Sequence, residues 1–214
     1  MLLIFASPFL EHFENGDFIE TIMVTIVLVC SVLAVGGNRR NVIGMSLFAL
    51  PVLCAKWLHQ IRPDLAPLWW FYAGGLVFCG WIIWRLLRFV LHSPKVDNEV
   101  LSASVAAYLL IGLVWSFGYM LIADANPQAF KFSVSNELKP ELMNAHNAYY
   151  FSFVTLCTVG YGDIVPMSSG ARTLAMGEAV TGLLYVAILI ARLVALQTTD
   201  MARESVRHPD NDKT

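Results

Sequence analysis

Six consecutive residues are the ones best suited to chemistry: Thr158, Val159, Gly160, Tyr161, Gly162 and Asp163. Before Asp163 the stretch holds no acid, base or thiol, so what it offers is oxygen. The backbone carbonyls of Thr158, Val159, Gly160 and Tyr161, with the Thr158 hydroxyl, are neutral oxygen ligands for a cation. Stacked as rings, with copies of the chain meeting on one axis, they would replace an ion's hydration shell. Gly160 and Gly162 permit backbone angles that a Cβ would penalise. Val159 and Tyr161 would then point away from the ion path and pack behind it.

Such a loop needs a setting that shields it from lipid, and the rest of the chain reads as one. Of the 214 residues 57% are hydrophobic and only 14% charged, whereas soluble domains carry about a quarter charged residues. The charges also cluster between long apolar runs, the pattern of a polytopic membrane protein. Thr21–Asn38, Asn41–Leu58 (with Pro51 as an expected kink and Lys56 snorkelling), Ala66–Leu91, Val100–Ala123 and Arg172–Leu196 read as spanning helices. Met1–Leu10 is a short apolar segment whose crossing would raise the count from five to six, and six is the expectation. Arg39 with Arg40, then Arg85, Arg88, His92 and Lys95, then Arg192 and Arg203, fall on one side of the membrane if the helices alternate. The excess of arginine and lysine assigns that side, and the C-terminus with it, to the cytoplasm.

Between Val100–Ala123 and Arg172–Leu196 lie a polar linker, 124–147, and an apolar run, 148–159, too short to cross. Non-helical backbone is tolerated at membrane depth only where protein buries it or it lines a watery path. Tyr149–Cys157 is therefore expected to form a short helix that stops part-way, with Thr158–Gly162 returning as extended backbone. The negative end of that helix would face a cation.

The run Thr155-Leu156-Cys157-Thr158-Val159-Gly160-Tyr161-Gly162-Asp163 resembles the pore signature of the tetrameric potassium channels. The resemblance covers roughly Val100–Leu196. It implies an all-α membrane fold made of an outer helix, a pore helix, a filter and an inner helix, preceded by an N-terminal helical membrane domain. It also implies a homotetramer and passive conduction of K+, with K+ at Thr158, Val159, Gly160 and Tyr161. Tyr150 and Phe151 match the aromatic cuff that braces the filter, and Asp163 matches the acid at its outer mouth. Val154 stands where some relatives place a buried glutamate, so no direct carboxylate brace to Asp163 is expected. Cys157 replaces a threonine common in the family and so removes a hydroxyl below the filter. Gly182 matches the inner-helix hinge glycine, whose alternative reading is close helix packing. Glu178 either holds the filter surround or reaches the lipid headgroups.

The expected division is an N-terminal membrane domain, 1–92, a pore domain, 93–197, and a short cytoplasmic tail, 198–214. The first is not expected to sense voltage, since Ala66–Trp84 has no arginine and Arg85 and Arg88 sit at the end of the helix. The tail is too short for a nucleotide- or calcium-binding domain, and Ile188, Ala191 and Ala195 are weak candidates for the narrowest cytoplasmic point. A weakly selective cation channel and a voltage-dependent potassium channel are the alternatives. A transporter of similar loop design would need four filter-like repeats, and this chain has one. No enzyme is expected: His12, His59, His92, His146 and His208 are scattered, and no nucleophile–base or metal spacing emerges. K+ is the permeant ion rather than a cofactor, membrane lipids are the other expected partners, and no basic block points to nucleic acid. The setting is a plasma membrane or bacterial inner membrane.

Overall fold

A computed structural model describes residues 21–22, 25–26, 50–59, 61, 69–93, 97–133 and 142–207. Met1–Leu10, the basic turn at Arg39 and Arg40, and most of Thr21–Asn38 lie outside the described residues, and with them the choice between five and six spans. Residues 50–59 are helical, and Pro51 lies in that helix.

Among the described residues, three long apolar helices dominate. Helix α1 is Trp69–His92, α2 is Asn98–Ala125 and the last, α4, is Ser169–Arg207. At 1.5 Å per residue α1 and α2 reach about 36 and 42 Å, enough for a hydrocarbon layer of about 30 Å. In α4 the part apolar enough to cross is Ser169–Ala195. The helix nevertheless continues to Arg207, well past Leu196 where the apolar run stops. No glycine or proline interrupts Leu196–Arg207, so the polar stretch keeps the helical geometry it inherits. Between α2 and α4 stands α3, Ala145–Leu156, which at about 18 Å is too short to cross.

Two of the helix starts have a local cause. Asp97 caps α2, its carboxylate accepting from the Val100 amide at 2.9 Å, and Asn144 caps α3 by accepting from the Asn147 amide at 2.7 Å. These caps satisfy amides that a first turn leaves without partners.

The linker after α2 holds an element the sequence reading did not anticipate. Strand β1, Phe130–Phe132, pairs antiparallel with β2, Ile164–Pro166, in the register Phe130↔Pro166, Lys131↔Val165, Phe132↔Ile164. The alternation of Phe130 and Phe132 about Lys131 was its only signal. Among the described residues the membrane part is thus all-α, with a two-stranded clasp.

α1 packs along α2, which also carries α3 and α4. One core joins residues 50–59, α1 and α2 through Val52, Phe71, Tyr72, Phe78, Cys79 and Phe117. The other lies beneath the clasp, where Tyr119, Phe130 and Phe151 form three mutually edge-on ring pairs with centroids 4.9 to 5.8 Å apart. Edge-on pairs place a ring's positive rim on a neighbour's negative face. They fix α2, β1 and α3 to one another.

Candidate functional site

Helix α3 hands its last carbonyls to the loop that follows. The Phe153 carbonyl accepts from Cys157 at 3.0 Å and that of Thr155 from Thr158 at 2.9 Å. The Val154 carbonyl accepts from both Val159, at 2.9 Å, and Gly160, at 3.4 Å. The loop's amides are therefore turned back toward the helix. Its carbonyls are not: among the described residues, no protein donor reaches those of Thr158, Val159, Gly160 or Tyr161. Those of Gly162 and Asp163 are held, by the Ser133 hydroxyl at 3.0 Å and the Ser133 amide at 2.8 Å. These four carbonyls belong to the residues that the sequence reading offers as ligands.

Backbone angles explain how they can line up. Thr158, Gly160 and Gly162 have φ of +57°, +59° and +78°, while Val159 and Tyr161 between them are not in the positive region. A chain that alternates between left- and right-handed regions gathers its amides on one side, the arrangement of an anion nest. Its carbonyls gather on the opposite side, where they suit a cation. For the two glycines the positive φ carries no steric penalty. For β-branched Thr158 it costs about 1–2 kcal/mol, so the surrounding bonds must enforce it.

The outer end of the loop is tied to the clasp. Asp163 accepts the Tyr150 hydroxyl at Oδ2, at 2.5 Å, and its Oδ1 accepts the Ile164 amide at 3.0 Å. With Val154 offering no carboxyl, the acid is braced by a phenol. The hydrogen bond to Asp163 pushes the Tyr150 phenol up to about 12, so the proton it donates stays in place through the physiological range. Phe151, the other residue expected in an aromatic cuff, lies in the aromatic triad. Residues 157–162 are all exposed on the single chain, Tyr161 at 71% and Val159 at 51%, between buried Leu156 and Ile164.

Behind the loop stands Glu178, wholly buried on α4. Its carboxyl accepts the hydroxyl of Tyr119 from α2 and meets the hydroxyl of Ser152 from α3. The carboxyl is thus enclosed between α2 and α3. Gly182 lies one turn further on, inside an unbroken helix. A Cβ there would overlap the Leu156 carbonyl, so the glycine lets α4 touch the end of α3. The Cys157 thiol is 3.5 Å from the Tyr108 hydroxyl. Ile188, Ala191 and Ala195 lie far from the loop, exposed on α4. Sequence reasoning missed Ser133, Ser152 and Tyr119, isolated polar groups whose partners come from other elements.

These features define a class: an integral membrane protein whose short interrupted helix presents backbone oxygens in a loop. A family profile described as "Ion channel" matches residues 99–198. Protein LctB of Geobacillus stearothermophilus is 33% identical over 112 residues, 52% of this chain and 81% of that protein. The chain belongs to this ion-channel family and is a transport protein, not an enzyme. Two-pore potassium channel 4 of Arabidopsis thaliana is 45% identical over 49 residues, 23% of this chain and 17% of the relative. Voltage-gated potassium channel Kch of Escherichia coli is 40% identical over 50 residues, 23% of this chain and 12% of the relative. No solved structure matches significantly.

Proposed function

We propose that the protein is a subunit of a potassium-selective channel that conducts K+ passively, with Thr158, Val159, Gly160 and Tyr161 as the ion's ligands. The observation that carries this is the row of four carbonyls that no donor among the described residues reaches, on a backbone whose φ alternates in sign. In this reading α2 is the outer helix, α3 the pore helix, 158–162 the filter and α4 the inner helix. Tyr150, Asp163, Phe151 and Glu178 hold the filter, Val154 anchors it through its carbonyl, and Gly182 serves both helix contact and hinge. The names of the two-pore and Kch relatives, both potassium channels, support the choice of ion.

A single loop cannot enclose an axis, so the site is completed by further copies, four in all. The exposure of residues 157–162, and of Met176, Val180, Leu183 and Leu184 on α4, supports that assembly. The pore domain is 93–197, preceded by a membrane domain without voltage-sensing function. Arg85 and Arg88 lie over the rings of Trp81 and Trp84, at 5.4 and 5.8 Å, near the end of α1. Such residues anchor a helix end at an interface. Arg192 reaches the Ser93 carbonyl at 3.0 Å, which brings the basic ends of α1 and α4 together. That supports a common cytoplasmic side for both.

Rubidium uptake into liposomes tests the reading. The unmodified protein should take up rubidium against excess sodium, and Gly160→Ala should keep flux while losing discrimination. Equal uptake of sodium and rubidium by the unmodified protein would remove the assignment.

A further inference from the structure

Three oxygen atoms behind the filter loop need more protons than an ionised glutamate leaves them. The Ser152 oxygen lies 2.6 Å from the Gly112 carbonyl of α2 and also within hydrogen-bonding distance of Glu178 Oε1 on α4. A serine hydroxyl has one proton, and a carbonyl has none. If Ser152 gave its proton to an ionised Glu178, two bare acceptors would face each other at 2.6 Å. If it gave the proton to Gly112, the contact with Glu178 would lack one. Both contacts are satisfied only when the carboxyl brings its own proton.

The surroundings agree with a neutral group. From α2 the titratable groups facing Glu178 are Tyr119, which donates to Oε2, and Tyr108 beyond it. From α3 its partner is Ser152, since the Tyr150 hydroxyl is committed to Asp163. β2 contains no titratable residue. On α4 itself Arg172 and Arg192 are turned to the carbonyls of Pro166 and Ser93. No cation among the described residues offsets a charge at this buried position, and an uncompensated charge there is costly.

We propose that Glu178 is held as a neutral carboxylic acid in a directed relay that positions the filter loop. Tyr119 donates to Oε2, Oε1–H donates to Ser152, and Ser152 donates to the Gly112 carbonyl. The relay ties α3 to α2 and α4 at Ser152, one turn before Leu156, from which the loop departs. Gly112 makes the approach possible, since a Cβ there would lie 2.9 Å from the Phe153 ring. When the proton leaves, Ser152 turns to the new carboxylate and releases Gly112, and α3 loosens at the turn that carries the loop.

The flux part rests on the channel reading; the proton does not. Infrared difference spectra of the full-length protein in liposomes, wild type against Glu178→Gln, should show a carboxylic-acid carbonyl band at neutral pH that the variant lacks. Glutamine can accept from Tyr119 and donate to Ser152, so Glu178→Gln should retain far more rubidium flux than Glu178→Ala. Glu178→Ala should lose most of the flux. A carboxylate band at neutral pH that Glu178→Gln removes, or equal loss in the two variants, would overturn the relay. If even the wild type passes no rubidium, the channel reading fails, and the infrared band alone decides the proton.

Discussion

Single residues set the loop's shape by opposing constraints. Gly162 adopts a φ of +78° with open space around it, so a Cβ there would meet no atom yet would strain the backbone. Gly162→Ala should therefore destabilise the protein by about 1 kcal/mol through its backbone conformation, read as a lower thermal midpoint in detergent. Tyr150 acts through its hydroxyl. Tyr150→Phe removes the bond to Asp163 and should cost about 1 kcal/mol, with weakened discrimination between potassium and sodium. Its pH dependence has a definite sign: a phenol raised to about 12 contributes fully below the ordinary value of 10.0 and fades only as pH climbs through 12. An activity change between pH 7 and pH 9 in the wild type thus does not come from Tyr150, and Tyr150→Phe should leave that change in place.

The helices and the clasp decide how precisely those residues meet. Gly182 and Gly112 both mark close approaches, but to different neighbours. A Cβ at 182 would overlap the Leu156 backbone carbonyl, which cannot rotate away, while one at 112 meets the Phe153 ring, which can shift. Gly182→Ala should destabilise by about 1–3 kcal/mol or more and exceed Gly112→Ala, as measured by thermal unfolding of the two variants. This scale also shows what the sequence could and could not reveal. The apolar lengths of α1, α2 and α4 were legible because bilayer thickness is written into composition. The loop was legible because glycines and uncharged oxygens recur there in a pattern that few other structures require. The clasp was not: three-residue strands give almost no periodicity, and β1 pairs with residues more than thirty positions away. The far end of α4 escaped because hydropathy reports crossing, not helicity. The Glu178 network escaped for a related reason, since its partners sit on α2 and α3 and only packing brings them together.

For the whole molecule, the exposed surfaces describe a part that awaits copies of itself. Only a small share of the apolar stretch of α4 is buried within one chain, and residues 157–162 stand open beside it. Native mass measurement in detergent should give four chains, and a monomer that conducts would contradict the arrangement. Arg85 and Arg88, close to tryptophan rings at the end of α1, are anchors rather than mobile charges in this account. Conduction across a range of voltages should show no steep opening curve, and a sigmoidal one would reassign those two arginines. The central claim is that four carbonyls per chain select potassium. Its most direct test is the reversal potential of the reconstituted protein with potassium on one side and sodium on the other. The account predicts a reversal close to the potassium equilibrium potential; a reversal near zero under the same gradients would contradict it.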